Sequence, residues 1–457
     1  MNKKYVAAMI LSLAIPFGMM GTVSAESIPV QRKAVVNHAT KSGSAPVRVT
    51  VKAAQKASAP RKSSDGDEKK KTSKSTSRTK ASSKNKNSSG NTLKTSALGP
   101  EVEVGLLSNT RFSITALVPL QAVSNGKVVG KYNQGDSISI TRSGNRILVN
   151  GKKAGEKVYL SGGKGAPAFA VKGNQYRGAM KLIPSPWNSH VTLVNVVPME
   201  TYLQGVVPSE IVPSWHADAI RAQAVAARTY AYFHKNSYRS SGYDVTDDTR
   251  SQVYRGSSVE TAATNNAIKD TAGEIITYGG KAIDAVFHSS GGGYTENSEN
   301  VWGTQVPYLR GVKEFYTGNP WTKTVSLSTF IKSMANMGYN VGTVKNIKLS
   351  HLRIGQAHKT SDRGISGRVK SITLVGKKGT KTVPGEKIEI LYGLDSALYD
   401  FSIKGKNLII TGYGYGHGLG LSQWGAEEMA EKYAKGKDYY KTILTHYFTG
   451  TKIEKLY

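Results

Sequence analysis

The 457-residue chain contains no cysteine. That excludes structural disulfides, cysteine nucleophiles and thiolate-rich zinc sites, and leaves the compartment open. Acidic residues are scarce: 31 Asp and Glu stand against 62 Lys and Arg, a formal net charge of +31. Beyond the N-terminal segment no run is apolar enough to cross a bilayer. There is no internal repeat and no regular βαβ spacing. What remains is length enough for two or three ordinary domains and a sizeable core.

Lys3 and Lys4 precede an apolar run from Val6 to Met20, followed by Val23-Ser24-Ala25. Small side chains there suit a signal peptidase, so residues 1–25 are expected to be a signal peptide cleaved after Ala25. An uncleaved anchor over residues 5–23 is the alternative, and Pro16, Gly18 and Gly21 favour cleavage. Either way, the remainder is expected outside the cytoplasmic membrane, secreted, in the wall or on the outer membrane face. Residues 26–98 are basic and rich in Ser, Thr and Lys, and the stretch DGDEKKKTSKSTSRTKASSKNKNSSGNT has almost no apolar side chains. Such a segment cannot offset the entropy of ordering, and a disordered linker or tail is expected. Its charge invites anionic wall polymers or lipid head groups rather than nucleic acid, which an exported chain does not meet; a solvated spacer is the competing reading.

From residue 99 the pattern predicts an α+β domain running to residue 457. Its portions are β-rich 99–195, a motif-bearing core region 196–310 and a mixed C-terminal portion 311–457. Alternating runs such as VEVGLLS, FSITALVPL and HVTLVNVVP read as strands. Over residues 196–233 an apolar strand end is expected to run into a turn carrying Glu210. A helix capped by Ser214 follows, with Ala219, Ala222, Ala226, Thr229 and Phe233 at helical spacing. So many alanines on one helix suit close packing at the centre of the domain. Later, SVETAATNNAIKDT and residues 327–337 read as helices, and KTVPGEKIEILY reads as a strand.

Four islands hold residues capable of chemistry. Glu210 is an isolated acid between rigid elements, suited to a general acid or base, or equally to easing the dipole of a following helix. His288-Ser289-Ser290-Gly291-Gly292-Gly293 follows a strand. Its hydroxyls and amides suit sugar hydroxyls, or it is a plain turn; adjacency cannot make His288 and Ser289 a catalytic pair, and no G-x-S-x-G elbow is present. Residues 412–426, GYGYGHGLGLSQWGA, fit neither G-x-G-x-x-G nor the P-loop. They read as a tight structural loop or as a carbohydrate platform offering Tyr415, His417 and Gln423. Asp247 and Asp248 lie in DVTDDTRSQVY, without an EF-hand frame, and read as a polar turn rather than a cation site.

Together these islands resemble the stage II sporulation protein D / LytB (amidase-enhancer) family of peptidoglycan-active proteins. The resemblance is carried by Leu193-Val194-Asn195, Pro198-Met199-Glu200-Thr201-Tyr202-Leu203 and Val206-Val207-Pro208-Ser209-Glu210. It extends through Ala222-Gln223-Ala224, Ala227-Arg228-Thr229-Tyr230, Gln252-Val253-Tyr254 and His288-Ser289-Ser290-Gly291-Gly292. It ends with Gly416-His417-Gly418, Ser422-Gln423-Trp424-Gly425-Ala426 and Ile443-Leu444-Thr445-His446-Tyr447-Phe448. Some such proteins are lytic transglycosylases and others are described as enhancers of a wall amidase. The resemblance implies Glu210 as a single acid and base acting on MurNAc–GlcNAc bonds. The expected substrate groove takes Arg228, Tyr254, Ser289, Ser290, Gly292, His417 and Gln423; the expected partners are glycan strands and a wall amidase. Raising the acid's pKa calls for desolvation, for which Val206, Val207, Ile211 and Trp215 are candidates. No cofactor is expected. Where some relatives hold zinc through Cys and His, this chain has Thr246, Arg250 and Ser251, so no such metal is expected. Glu389 and Asp395 are acidic where relatives tend to be basic.

Overall fold

The computed structural model describes residues 97–163 and 165–457. The expected signal peptide of residues 1–25 and the basic tract through residue 96 lie outside the described residues. The architecture is α+β, with open sheets and interspersed helices. Along Val191–Pro198 every residue except Pro198 is buried, because antiparallel strands flank it on both edges, Glu101–Asn109 and Ala179–Pro184. A strand covered on both faces and paired on both sides reads as a continuous apolar run, as HVTLVNVVP does. It belongs to a seven-stranded sheet, while Phe112–Ala116 and Ser137–Ser143 belong to a six-stranded one. Ile114, Ile138 and Ile140 share one apolar cluster with Leu182 and Leu193, so side chains of both sheets fill a common core.

Directly after Pro198 the chain forms a helix, Met199–Glu210, where the sequence pattern predicted only a turn. Gly205 and Pro208 disguise it. Pro208 has no amide to donate to the carbonyl one turn back, and the helix ends two residues later. Gly205 is required by close approach, since a Cβ there would lie 2.6 Å from the Gly256 carbonyl oxygen. Tyr202, Val206 and Val207 are fully buried in the sheet-side core, each such valine contributing roughly 1.5–3 kcal/mol relative to exposure.

The alanine-rich helix spans Ala217–Phe233, two residues later than expected, because His216 rather than Ser214 caps it: the Asp218 amide donates to His216 Nδ1 at 3.2 Å. Its composition follows from its place. Ile220, Ala224, Ala227 and Ala231 face the sheet-side core. Ala219, Ala222, Val225 and Ala226 face a second core with Leu419, Leu421, Ala426, Met429, Tyr447 and Phe448. A helix enclosed on both sides needs small residues all round. A third cluster, including Phe330, Ile372, Leu374 and Ile410, holds the C-terminal portion.

Two further expectations are corrected. KTVPGEKIEILY is a strand only over Gly379–Pro384; Pro384 then caps a helix, Gly385–Tyr392, as proline's fixed φ suits a helix start. KAIDAVFHS contributes only the short pairings Lys281–Ala282 and Phe287–His288. The second of these runs parallel to Leu421–Ser422. That pairing, with reciprocal backbone bonds between Ser290 and Tyr415, brings together the two glycine-rich islands, which lie far apart in sequence.

Candidate functional site

Glu210 is the last residue of the helix Met199–Glu210, half-buried at its C-terminal end. An anion is disfavoured there, which removes the dipole-easing reading of this acid. The Val253 amide donates to its Oε1 at 2.7 Å. Burial pushes the carboxyl up to about 7, overriding the lowering effects of the Val253 amide and the Arg255 guanidinium. Its own backbone carbonyl accepts from Gln423 Nε2 at 2.8 Å, which ties the helix end to the start of the helix Gln423–Tyr433.

The residues flanking Val253 explain how its amide is held. Tyr202 Oη donates to Gln252 Oε1 at 3.1 Å, and Gln252 Nε2 donates to the Ala227 carbonyl at 3.3 Å. Tyr254 Oη donates to Asn195 Oδ1 at 2.7 Å, and Asn195 Nδ2 in turn donates to the Arg177 and Ala179 carbonyls. Gln252 and Tyr254 are thus buried pins on either side of the amide that grips Glu210. Tyr254, expected in the groove, is 2% exposed and packed at tilted angles between the rings of Tyr176 and Tyr202. It positions the site from below and has no face for substrate.

Arg228 is corrected likewise. Its side chain is fully buried, with Nε and Nη2 donating to the two carboxylate oxygens of Glu200 at 2.7 and 2.8 Å. The guanidinium also donates to the Glu274 and Ile268 carbonyls, both at 3.2 Å. The Gly273 amide and Tyr457 hydroxyl donate to Glu200 as well. Arg228 therefore clamps the alanine helix to the helix bearing Glu210, far from any open surface.

The remaining expected residues cluster where the two glycine islands meet. Ser289 is half-buried, and its carbonyl accepts from the Trp424 amide at 3.0 Å, one residue past Gln423. Ser290 is buried, its backbone paired with Tyr415 and its hydroxyl without a partner among the described residues. Gly292 has φ of 76°, and a Cβ there would lie 2.6 Å from Leu398. His417 is half-buried; its Nδ1 accepts from the Leu419 amide at 3.0 Å, and its ring centroid lies 5.5 Å from that of His288. Gln423 of this group bonds directly to the Glu210 backbone carbonyl.

Glu314 holds that framework and was not visible in the sequence, where it is a lone acid in RGVKEFYTG. It accepts from the Gly291 and Gly293 amides, both at 3.2 Å, and from the Ser422 hydroxyl. Ser422 in turn caps the helix that begins at Gln423, accepting from the Gly425 amide. Burial raises the Glu314 carboxyl above the usual range, against these hydrogen bonds. Among the apolar candidates for desolvating Glu210, Val206 and Val207 are fully buried, Ile211 is buried, and Trp215 is half-buried with its ring 4.6 Å from that of Trp424.

Among the described residues no group of three or more His, Cys, Asp or Glu is placed to hold a metal ion. In the segment leading to Val253, the Thr246 amide donates to Ser251 Oγ, and Arg250 pairs with Asp248.

A family model described as stage II sporulation protein matches residues 187–278, the stretch holding Glu210, Arg228 and Tyr254. The chain is 34% identical over 292 residues to an uncharacterised protein of Brachyspira hyodysenteriae, covering 62% of this chain and 74% of that one. It is 33% identical over 279 residues to stage II sporulation protein D of Bacillus amyloliquefaciens, covering 57% of this chain and 76% of that protein. It is 30% identical over 328 residues to the amidase enhancer of Bacillus subtilis, covering 62% of this chain but only 45% of that protein. On this similarity and the motifs described above, the chain belongs to the stage II sporulation protein D family.

Proposed function

We propose that this is an exported peptidoglycan-binding protein that cleaves MurNAc–GlcNAc bonds by lytic transglycosylation, with Glu210 as both acid and base. The observation that carries the reading is a single carboxyl group held at a helix end by one amide, its pKa brought to about 7 by burial. A general acid works best with a pKa near the operating pH. Protonated Glu210 gives its proton to the glycosidic oxygen as the bond from the MurNAc anomeric carbon breaks. The sugar's own 6-hydroxyl then attacks that carbon and returns its proton to the Glu210 carboxylate, leaving a 1,6-anhydro end. Water is not the nucleophile, so the second carboxylate that activates water in ordinary glycoside hydrolysis is not needed. Gln423, Ser289 and His417 lie on the loop framework beside the acid and are proposed as groove contacts. Ser290 and Gly292 shape it through their backbone.

The pH dependence tests this directly. Glu210 must enter the cycle protonated, so kcat/KM is expected to hold on the acid side and fall roughly tenfold per pH unit above about 7. A profile of glycan cleavage that instead falls from near 4.5, the ordinary glutamate value, contradicts a buried acid.

A second reading is favoured by the similarity to the amidase enhancer. In it the chain is a non-catalytic partner of a wall amidase, retained at the wall by its basic N-terminal tract on anionic polymers. Adding pure protein to amidase and sacculi separates the two. Equal stimulation by wild type and Glu210→Gln, with no anhydro products, supports the enhancer. Cleavage of glycan by wild type alone supports the transglycosylase. Among the described residues no helix is long and apolar enough to cross a membrane.

A further inference from the structure

A groove of about 230 Å³, open to solvent, lies between the turn at residues 185–190 and the loop at residues 241–250. Trp187 stands at its edge with 58% of its surface exposed, an unusual state for the largest apolar side chain. The turn presenting it is rigid. Arg142 Nη1 donates to the carbonyls of Ser185, Asn188 and His190, at 3.2, 2.9 and 2.9 Å, and the Trp187 amide donates to Ser185 Oγ. The indole Nε1 donates to Ser241 Oγ at 3.4 Å, so the ring as well as its turn is held ready for contact. Tyr243 forms the floor, its ring within 2.8 Å of where a Gly105 Cβ would sit and stacked on Tyr238 at 5.4 Å. Asn188, Ser108, Asp247 and Arg250 supply polar groups along the groove.

Arg250 is taken by Asp248, through Nε and Nη2 at 2.8 to 3.1 Å. Asp247 is half-buried, and burial pushes its carboxyl up to about 6, opposed by Lys172. At neutral pH it therefore serves mainly as a carboxylate acceptor. A site with an apolar flat face, an amide, a hydroxyl and a carboxylate acceptor that feels Lys172 and Arg255 suits a pyranose ring, whose faces are C–H and whose rim is hydroxyl.

We infer that the groove between Trp187 and Asp247 is a second binding site for a neutral, N-acetylated glycan, stacking one sugar ring on Trp187 and accepting its hydroxyls at Asp247. The Asp247 carbonyl accepts from the Tyr254 amide, so the loop that lines this groove leads directly into Val253, whose amide grips Glu210. A glycan held here rests against the same loop as the proposed acid. The inference shares with the proposed function its ligand class, and it requires no cleavage.

The probe is a tetramer of β-1,4-linked N-acetylglucosamine, titrated calorimetrically into the full chain carrying Glu210→Gln, so that no turnover intervenes. Trp187→Ala on that background is expected to raise Kd roughly tenfold, and Trp187→Phe to hold it within about threefold. Asp247→Asn weakens binding several-fold, and because Trp187 is exposed, the melting temperature of its variants stays unchanged. Unchanged affinity in Trp187→Ala, or no binding by the parent, overturns the site. So does a free stem peptide bearing a diamino acid that binds at Trp187 while the glycan does not. Loss of the proposed activity is separable: wild type that yields no anhydro products while Kd still depends on Trp187 leaves the groove standing.

Discussion

Glu210→Gln is expected to lower glycan cleavage by about 10²–10⁴-fold, the usual contribution of a positioned acid–base group, without loss of fold. Glutamine keeps the side chain's shape and can still accept from the Val253 amide, so the geometry of the helix end survives. The sign of the stability effect follows from the raised pKa. A carboxyl protonated more readily in the folded chain stabilises the fold below the unfolded value near 4.5, and that contribution is lost as pH rises through about 7. At pH 8 the wild type holds a desolvated charge that Glu210→Gln lacks, so the variant should melt no lower than wild type. Activity lost together with the fold would instead mark Glu210 as structural.

Arg228→Ala should be the most destabilising single change in the described region. Breaking a buried, hydrogen-bonded ion pair leaves the partner charge stranded, at a cost of about 3–5 kcal/mol. That is a large fraction of the roughly 5–15 kcal/mol that typically holds a domain together. Glu200 would lose both guanidinium bonds while still enclosed between the two helices. Arg228→Lys should recover little, because an ammonium cannot reproduce the two-pronged contact with Glu200 and also reach the Glu274 and Ile268 carbonyls. Replacing both partners by apolar residues, Arg228→Met with Glu200→Leu, should cost less than either alanine change alone. Denaturant unfolding of the four variants measures this. A stable Arg228→Ala chain that has lost glycan binding would return Arg228 to the groove.

The contrast between Glu210 and Arg228 shows what a sequence of this kind discloses. The α+β class was readable because buried strands such as Val191–Pro198 and the alanine helix carry their environment in their composition. Local signals failed where a residue answers to a distant partner. Gly205 resembles a helix breaker until the Gly256 carbonyl beside it is known. Arg228 and Glu200 lie 28 residues apart, and no periodicity marks them as a pair. Glu314 bonds to Ser422 across 108 residues, so its role in holding both glycine loops leaves no trace in the segment around it. Tyr254 was expected in the groove because it sits in the motif; the structure makes its neighbour Val253 the contact and Tyr254 the anchor.

The same logic orders the loops. In sequence His288-Ser289-Ser290 and residues 412–426 stand apart, each as compatible with a plain loop as with a sugar contact. Their parallel pairing through Phe287–His288 and Leu421–Ser422 makes them one framework, and Gln423 extends from it to the Glu210 carbonyl. Aromatic packing of Trp424 between Trp215 and Tyr316 holds the start of that helix beside the acid.

The central claim is that Glu210 acts on glycan without water as nucleophile. Mass spectrometry of products from a defined, peptide-free glycan, digested in water enriched in heavy oxygen, tests it most directly. Wild type should release fragments with 1,6-anhydro ends, lighter by one water than hydrolytic products and free of solvent oxygen. Glu210→Gln should release none. Reducing ends that carry heavy oxygen, or anhydro ends still formed by Glu210→Gln, would contradict it.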